Sequence, residues 1–300
     1  MKILLTGGSG GQVGSEFIEL VASYNKSNKN CPSEQLIELI PLTEQQLDIT
    51  QQETVNDKIG TYKPDTVVNG AAYTAVDKAE KEVELANYIN HLAISKIAEI
   101  SNKHKVKLIH ISTDYIFDGV SEKAYLESDD PSPLNIYGKS KLAGEVAVSA
   151  AMQKNAIIIR TSWLYSEYSN NFVETILRKA QKCDELNVVS DQFSSPTNAS
   201  DLAKVIIQII NHKKFRNHDQ LTQIYHYSSY GVCSWFEFAR EILELANIDC
   251  QVNPIETKDY LTAAKRPKYS FLNTDKIVKG FGLEIPFWKD SLKASIDNLL

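Results

Sequence analysis

The sequence predicts an α/β protein: a doubly wound parallel sheet with a smaller C-terminal region interleaved with it. Two observations carry this prediction. Short apolar runs alternate with segments of helical periodicity through the first 165 residues, and a glycine-rich turn joins the first run to the first helical segment. Buried strands separated by helices imply βαβ units, because parallel neighbours need a crossover and the helices must cover both faces of the sheet.

The elements follow in order. Residues 2–6 form a short apolar run stopped by Gly7, and residues 12–24 set Val13, Phe17, Leu20 and Val21 on one helical face. A polar loop is expected over 25–34, a second strand over 36–42, a helix over 51–61 and a third strand over 66–69. A long helix over 83–102 leads to a fourth strand over 106–111, then a loop holding Pro131 and Pro133. Residues 136–151 return to helix and 156–161 to strand. Beyond 165 the pattern loosens: 198–211 suits a sheet-covering helix, while 235–246 and the last forty residues are mixed. The division expected is a first unit over 1–165 with a returning segment near 186–215, and a second over 166–185 and 216–300.

Composition sets the class. Three hundred residues suffice for one large or two medium domains, and 43% hydrophobic with 23% charged residues is an ordinary globular balance. A net charge of −6 offers no global basic field, which weighs against nucleic acid and anionic membranes as partners. Cys31, Cys183, Cys233 and Cys250 form no C-x-x-C pair and read as reduced thiols. The six histidines lack metal-ligand spacing, so no metal-binding residues are assigned. No apolar run reaches the roughly 18–20 residues of a membrane span, and the N-terminal run is too short for a signal peptide. A cytoplasmic protein is expected.

Chemistry enters at the glycine turn, Thr6-Gly7-Gly8-Ser9-Gly10-Gly11-Gln12-Val13-Gly14. Between a strand and a helix, glycines permit a tight turn and a close approach to a pyrophosphate, which the helix N-terminus attracts. Gly8, Gly11 and Gly14 satisfy G-x-x-G-x-x-G; Gly7, Gly10 and Gly14 offer a second spacing. This is a dinucleotide site of the Rossmann type. The second strand ends at Thr43 where an acid usually holds the ribose hydroxyls; Glu44 follows, and no Arg or Lys stands there for a 2′-phosphate. NADPH and NADH both remain open.

Tyr137 and Lys141, four apart, share one face of a helix. A phenol with an ordinary pKa near 10 needs a neighbouring cation to exchange protons at neutral pH, and Lys141 supplies that charge. The fourth strand runs into Ser112-Thr113-Asp114, at the sheet edge where wound sheets bind ligands. Thr113 there can share a substrate oxygen with Tyr137, which protonates the alkoxide formed by hydride transfer. Asn90 is placed to orient a water beside Lys141, or else is a polar group on a helix face.

With these residues in place, the chain resembles the dTDP-4-dehydrorhamnose reductase family of the extended short-chain dehydrogenase/reductases. The resemblance covers nearly the whole chain. It rests on Gly11-Gln12-Val13-Gly14, Leu47-Asp48-Ile49-Thr50, the 71–80 stretch Ala-Ala-Tyr-Thr-Ala-Val-Asp-Lys-Ala-Glu, the 112–119 stretch Ser-Thr-Asp-Tyr-Ile-Phe-Asp-Gly, and Tyr137 to Glu145. Arg160-Thr161-Ser162-Trp163, Asp191-Gln192, Pro196-Thr197, Arg266-Pro267 and Leu272-Asn273-Thr274 extend it. It implies reduction of dTDP-4-dehydro-β-L-rhamnose by NADPH or NADH to dTDP-L-rhamnose, with Thr113, Tyr137 and Lys141 catalytic. By the same resemblance Gly11, Gln12 and Val13 contact the pyrophosphate, Asp48 and Ile49 frame the adenine, and Ala71, Ala72 and Tyr73 line the cofactor groove. Asp114 and Trp163 hold the sugar, the C-terminal region binds substrate, and a homodimer is suggested. Magnesium is raised by family analogy alone. The glycine loop is one residue longer than the family's commonest form.

Three other functions compete. A nucleotide-sugar 4,6-dehydratase needs an Asp-Glu pair after the threonine, and this chain reads Asp114-Tyr115. A 4-epimerase needs only the Tyr, Lys and hydroxyl, and differs in retaining its NAD. A non-catalytic NADP-binding regulatory subunit, like that of methionine adenosyltransferase, has no need for the intact Thr113, Tyr137 and Lys141.

Overall fold

A computed structural model describes residues 1–28, 36–217 and 220–299. Six parallel strands form its main sheet: β1 (Lys2–Thr6), β2 (Glu38–Leu42), β3 (Thr66–Asn69), β4 (Lys107–Thr113), β5 (Ala156–Thr161) and β6 (Gln223–His226), in the spatial order β6-β5-β4-β3-β1-β2. The helices between them are α1 (Gln12–Ser27), α2 (Gln52–Tyr62), α3 (83–103), α4 (Ile136–Ala151), α5 (Phe172–Ala180) and α6 (Ala199–Asn211). The doubly wound sheet is therefore as the sequence predicts.

Strand alternation explains the two layers, since successive side chains point to opposite faces. Ile3, Leu5, Val68, Ile109 and Ile157 pack with Phe17 and Val21 of α1 and Leu202, Ile206 and Ile209 of α6. Leu4, Val67, Leu108 and Ile158 pack on the other face with Ile59 of α2, Ile94 and Ile97 of α3, and Val148 of α4. Strands covered on both faces read as continuous apolar runs, which is why they were visible in sequence.

Several boundaries differ from expectation. The first helix continues through 25–27, so the polar segment begins later; residues 29–35 lie outside the described set. β4 runs two residues further, through Ser112 and Thr113, because both pair with β5. The long helix is interrupted by a π-helical turn, Tyr88–Ala93. Residues 235–245 are not mixed: they form α7 (Trp235–Leu245), opened by a capping box of Ser234 and Glu237. A last helix, α8 (Trp288–Leu299), packs Trp288, Leu292 and Ile296 against Phe238 and Ile242 of α7.

Two strands sit elsewhere than the expected division places them. Glu185–Val189 pairs with Gln251–Ile255 in a separate two-stranded sheet, whereas Gln223–His226 is the outer strand of the main sheet. The chain thus leaves the main sheet after β5 and returns for α6 and β6. Short strands of four or five residues, without a helix between each pair, carry too little periodicity to reveal such exchanges.

The strand order reverses at β1: β2 lies on one side and β3 on the other. Crevices at the carboxyl ends of strands flanking such a reversal are where wound sheets bind ligands. The glycine turn fills this place. Gly7 has φ +68°, and a Cβ there would lie 2.9 Å from the Ala71 nitrogen beyond β3. A Cβ on Gly14 would lie 2.1 Å from the Gly8 carbonyl oxygen, so α1 packs directly on the turn. Gly10 faces open space and Gly11 is the N-cap of α1. Both spacings read from sequence share Gly14; the positive φ falls on Gly7. We predict that Gly14→Ala costs about 1–3 kcal/mol through backbone displacement, read as a lowered urea midpoint; an unchanged midpoint contradicts the packing.

Candidate active site

The site forms where β4 ends and α4 begins. Asn135 caps α4 by accepting from the Gly138 N–H at 2.8 Å, and its amide donates to the Lys265 carbonyl at 2.8 Å. α4 then lies close on its neighbours: Cβ atoms at Gly138 and Gly144 would fall 2.2 Å from the carbonyl oxygens of Tyr115 and Asn90. This approach sets Tyr137 and Lys141 against the end of β4.

Thr113 and Lys141 are buried, with Tyr137 beside Thr113 and the Lys141 ammonium on the carbonyl of Ile111, two residues before Thr113 in β4. The Thr113 hydroxyl lies beside the Tyr137 phenol. Burial drives the phenol pKa up to about 12, the nearby Asp114 adds to the rise, and the Thr113 hydroxyl opposes it. The Lys141 ammonium donates to the Ile111 carbonyl at 2.7 Å, and burial lowers its pKa to about 8 against the pull of Glu145. The spacing of four predicts that Lys141 lowers the phenol pKa; here desolvation prevails for both groups. Each charged form loses its water, and the lysine turns to a backbone carbonyl.

Asp114 is also buried. It accepts from Ser270 Oγ at 2.5 Å and from Thr113 Oγ1 at 3.2 Å, and burial raises its pKa to about 7. Tyr115 packs edge-on against Tyr137 with ring centroids 5.9 Å apart. Trp163, just beyond β5, stacks on Trp235 at 3.5 Å with 10° between planes and has φ +46°.

The other predicted residues line the strand-order reversal or support it. Gln12 and Val13 open α1; Val13 is buried and Gln12 Oε1 is buried without a partner among the described residues. Gly8 N–H donates to the Leu42 carbonyl, joining the glycine turn to the end of β2, where Thr43 follows half-buried. Asp48 accepts from the Thr50 N–H at 2.9 Å and hydroxyl at 2.6 Å, which hold its carboxyl below the usual range; Ile49 is buried beside it. Gln51 is the N-cap of α2. Ala71, Ala72 and Tyr73 continue from β3. The Asn90 oxygen accepts from the Tyr73 N–H at 2.9 Å, and its amide donates to the Tyr73 carbonyl and Ser140 Oγ at 3.0 Å. It anchors the loop after β3 to α4.

Beneath the site lies a polar network that sequence reading did not assign. Glu145, one turn beyond Lys141, receives Arg160 of β5 through Nη2 at 2.8 Å and Nε at 3.1 Å, and Ser112 Oγ of β4 at 2.5 Å. Arg160 also lies 3.3 Å from His226 Nε2 of β6 and over the Phe117 ring. On the opposite flank Arg266 grips both Asp77 oxygens, at 2.6 and 3.1 Å. The motifs containing Glu145, Arg160, Asp77 and Arg266 were visible in sequence, but nothing in them discloses who pairs with whom. Among the described residues no group of three or more His, Cys, Asp or Glu is placed to hold a metal ion, so magnesium gains no support. No described helix is long and apolar enough to cross a membrane.

The family model described as RmlD substrate binding domain matches residues 1–300. The chain belongs to that family. It is 39% identical over 300 residues to a dTDP-4-dehydrorhamnose reductase from Aggregatibacter actinomycetemcomitans, covering 98% of each chain. It is also similar to the crystal structure of a dTDP-4-dehydrorhamnose reductase from Clostridium acetobutylicum, with TM-score 0.89, 38% identity, and 100% and 99% of the two chains covered. A Bacillus anthracis dTDP-4-dehydrorhamnose reductase structure in complex with NADP matches with TM-score 0.87 and 36% identity over 99% of both chains. The short-chain reductase resemblance read from the motifs is borne out by this membership of the RmlD family.

The ion pair is the testable part of this geometry. Arg160→Leu leaves Glu145 buried and uncompensated, and we expect a loss of about 3–5 kcal/mol by urea unfolding. Adding Glu145→Leu should recover part of that loss; a double variant no more stable than the single one contradicts the pairing.

Proposed function

We propose that this protein reduces the 4-keto group of dTDP-4-dehydro-β-L-rhamnose with NADPH or NADH, giving dTDP-L-rhamnose. The reading is supported by Tyr137 lying beside Thr113, and Lys141 reaching the Ile111 carbonyl, at the carboxyl edge of the sheet near the strand-order reversal.

The residues present suit a dinucleotide. α1, with Gly11 as its N-cap, has no side-chain cap, so its first N–H groups are free for a pyrophosphate, and Gln12 Oε1 lacks a partner among the described residues at the same end. We assign the pyrophosphate to Gly8, Gly11, Gln12, Val13 and Gly14, the ribose and adenine to Thr43, Asp48 and Ile49, and the nicotinamide half to Ala71, Ala72, Tyr73 and Lys141, with Asn90 holding Tyr73. When bound, a reduced nicotinamide supplies the hydride for C4.

The chain's own residues handle the oxygen. Tyr137, with its pKa raised, keeps its proton at neutral pH and holds it against the substrate oxygen until charge develops there. Thr113 donates to the same oxygen and fixes its place. Once Tyr137 has given its proton, the ammonium of Lys141 stabilises the phenolate. Asp114 and Trp163 face the sugar, and the region from α7 onward, with Glu185–Val189 and Gln251–Ile255, grips the nucleotide. The position after Asp114 belongs to a phenol packed on Tyr137, leaving no second carboxylate for dehydration.

The assay offers dTDP-4-dehydro-β-L-rhamnose with NADH or NADPH and follows cofactor oxidation; no consumption with either overturns the reading. Tyr137→Phe should bind cofactor normally yet lose at least ~100-fold in turnover, the lower range of general acid catalysis; near-normal turnover removes its role. Lys141→Met should weaken both cofactor binding and turnover, and an unchanged cofactor affinity removes the lysine from the ribose.

A further inference from the structure

The segment that presents Trp163 holds a backbone conformation that the proposed reaction does not explain. β5 ends at Thr161, which pairs with Thr113, so Trp163 stands two residues beyond the register of the proposed site. Its φ of +46° is left-handed, a state that a bulky residue keeps only where its surroundings over-determine it. The main chain there is tied down: the Thr197 N–H donates to the Trp163 carbonyl at 3.2 Å, and Ser162 Oγ donates to the Ser195 carbonyl at 2.7 Å. These bonds hold the backbone and not the indole.

Trp235 supplies the missing constraint. The two indoles stack with centroids 3.5 Å apart and 10° between planes, and the Phe172 ring of α5 lies 4.5 Å from Trp235. Trp235 is the first residue of α7, and Ser234 before it completes a capping box with Glu237. Ser234 also pairs with Phe193 in an antiparallel ladder, and the Phe193 carbonyl accepts from the Ser270 N–H at 2.9 Å. Ser270 is the residue whose hydroxyl donates to Asp114. The supports of Trp163 and of Asp114, the two residues assigned to the sugar, therefore close into one ring of contacts.

We propose that Trp235 is a positioning residue: it covers one face of Trp163 and so presents the other, at a fixed angle, to the apolar face of the sugar ring. The C–H side of a pyranose is an apolar surface, and its hydrogens suit the negative face of an aromatic ring. An indole already stacked on a second indole keeps one rotamer, so its ordering is complete before the sugar arrives. Trp235 acts through Trp163 and not on the reacting atoms.

The role rests on Trp163 facing the sugar, and the test separates the two ideas. Turnover and KM for dTDP-4-dehydro-β-L-rhamnose, NADPH affinity, and the circular-dichroism couplet of stacked indoles are measured for the wild type, Trp163→Ala, Trp235→Ala, Trp235→Phe and the double alanine variant. The couplet reports this pair, since Trp288, the third tryptophan, packs on Phe238 and Phe287. It should be present in the wild type and lost in every variant; a wild type without it overturns the proposal. Trp235→Ala should raise the KM for the sugar about 3–10-fold, the scale of one aromatic pair, with NADPH affinity unchanged. Trp235→Phe, which restores a ring, should recover most of that rise. The double variant should be no worse than Trp163→Ala alone. An unchanged KM in Trp163→Ala removes that residue from the sugar and this role with it, and a wild type that consumes neither NADPH nor NADH overturns both ideas. A KM raised in Trp163→Ala but not in Trp235→Ala, or rises that multiply in the double variant, overturn the role of Trp235 alone. Should Trp235→Ala not fold, Trp235→Leu takes its place, and an unmoved KM there counts equally against the proposal.

Discussion

The buried pair of Glu145 and Arg160 is the constraint on which the site depends. Removing two charges from water costs several kcal/mol per ion, and the pair survives because its remaining hydrogen-bonding capacity is met. Ser112 and two guanidinium nitrogens satisfy the carboxylate, while His226 and the Phe117 ring flank the guanidinium. The participants come from α4, β4, β5 and β6, so one cluster fixes the helix relative to three strands. Because Glu145 follows Lys141 by one turn, fixing the carboxylate also fixes the rotation of α4. That rotation brings Tyr137 to Thr113 and Lys141 to the Ile111 carbonyl.

A second set of contacts joins the segment 264–270 to the sheet edge. Arg266 holds Asp77 from the loop after β3, Ser270 holds Asp114, and Lys265 receives the cap residue of α4. Three parts of the proposed site, belonging to cofactor, sugar and proton donor, thus share one stretch of backbone. Displacing that stretch would disturb all three together, which suits an enzyme whose two ligands must meet in one geometry.

What could be read in the sequence follows from how each signal arises. β1, β3, β4 and β5 are covered on both faces and announce themselves as apolar runs; α4 begins at the predicted residue and α6 one residue later, because their starts are marked locally by Asn135 and Asn198 as N-caps. Thr113, Tyr137 and Lys141 were legible because strand end and helix spacing bring them together without long-range information. The partnerships of Arg160 with Glu145, Arg266 with Asp77 and Trp163 with Trp235 were not, since each joins distant segments and nothing in one partner names the other. Asn90 was visible as a polar residue in an apolar helix, but its partner Tyr73 depends on a local change of pitch that composition does not reveal. The direction of the Tyr137 shift was missed for a related reason: burial of both members of a pair is a tertiary property.

That change of pitch, the π-helical turn at Tyr88–Ala93, has a consequence for how this protein can vary over generations. A wider turn accommodates one residue more than an α-helix needs, as though a single codon had been inserted into an older, regular helix. Losing one residue there would restore a regular helix and leave the segments on either side in register. The turn itself would tighten, drawing Asn90 away from Tyr73. A one-residue deletion there is therefore felt at the bridge to the loop after β3 rather than along the length of α3.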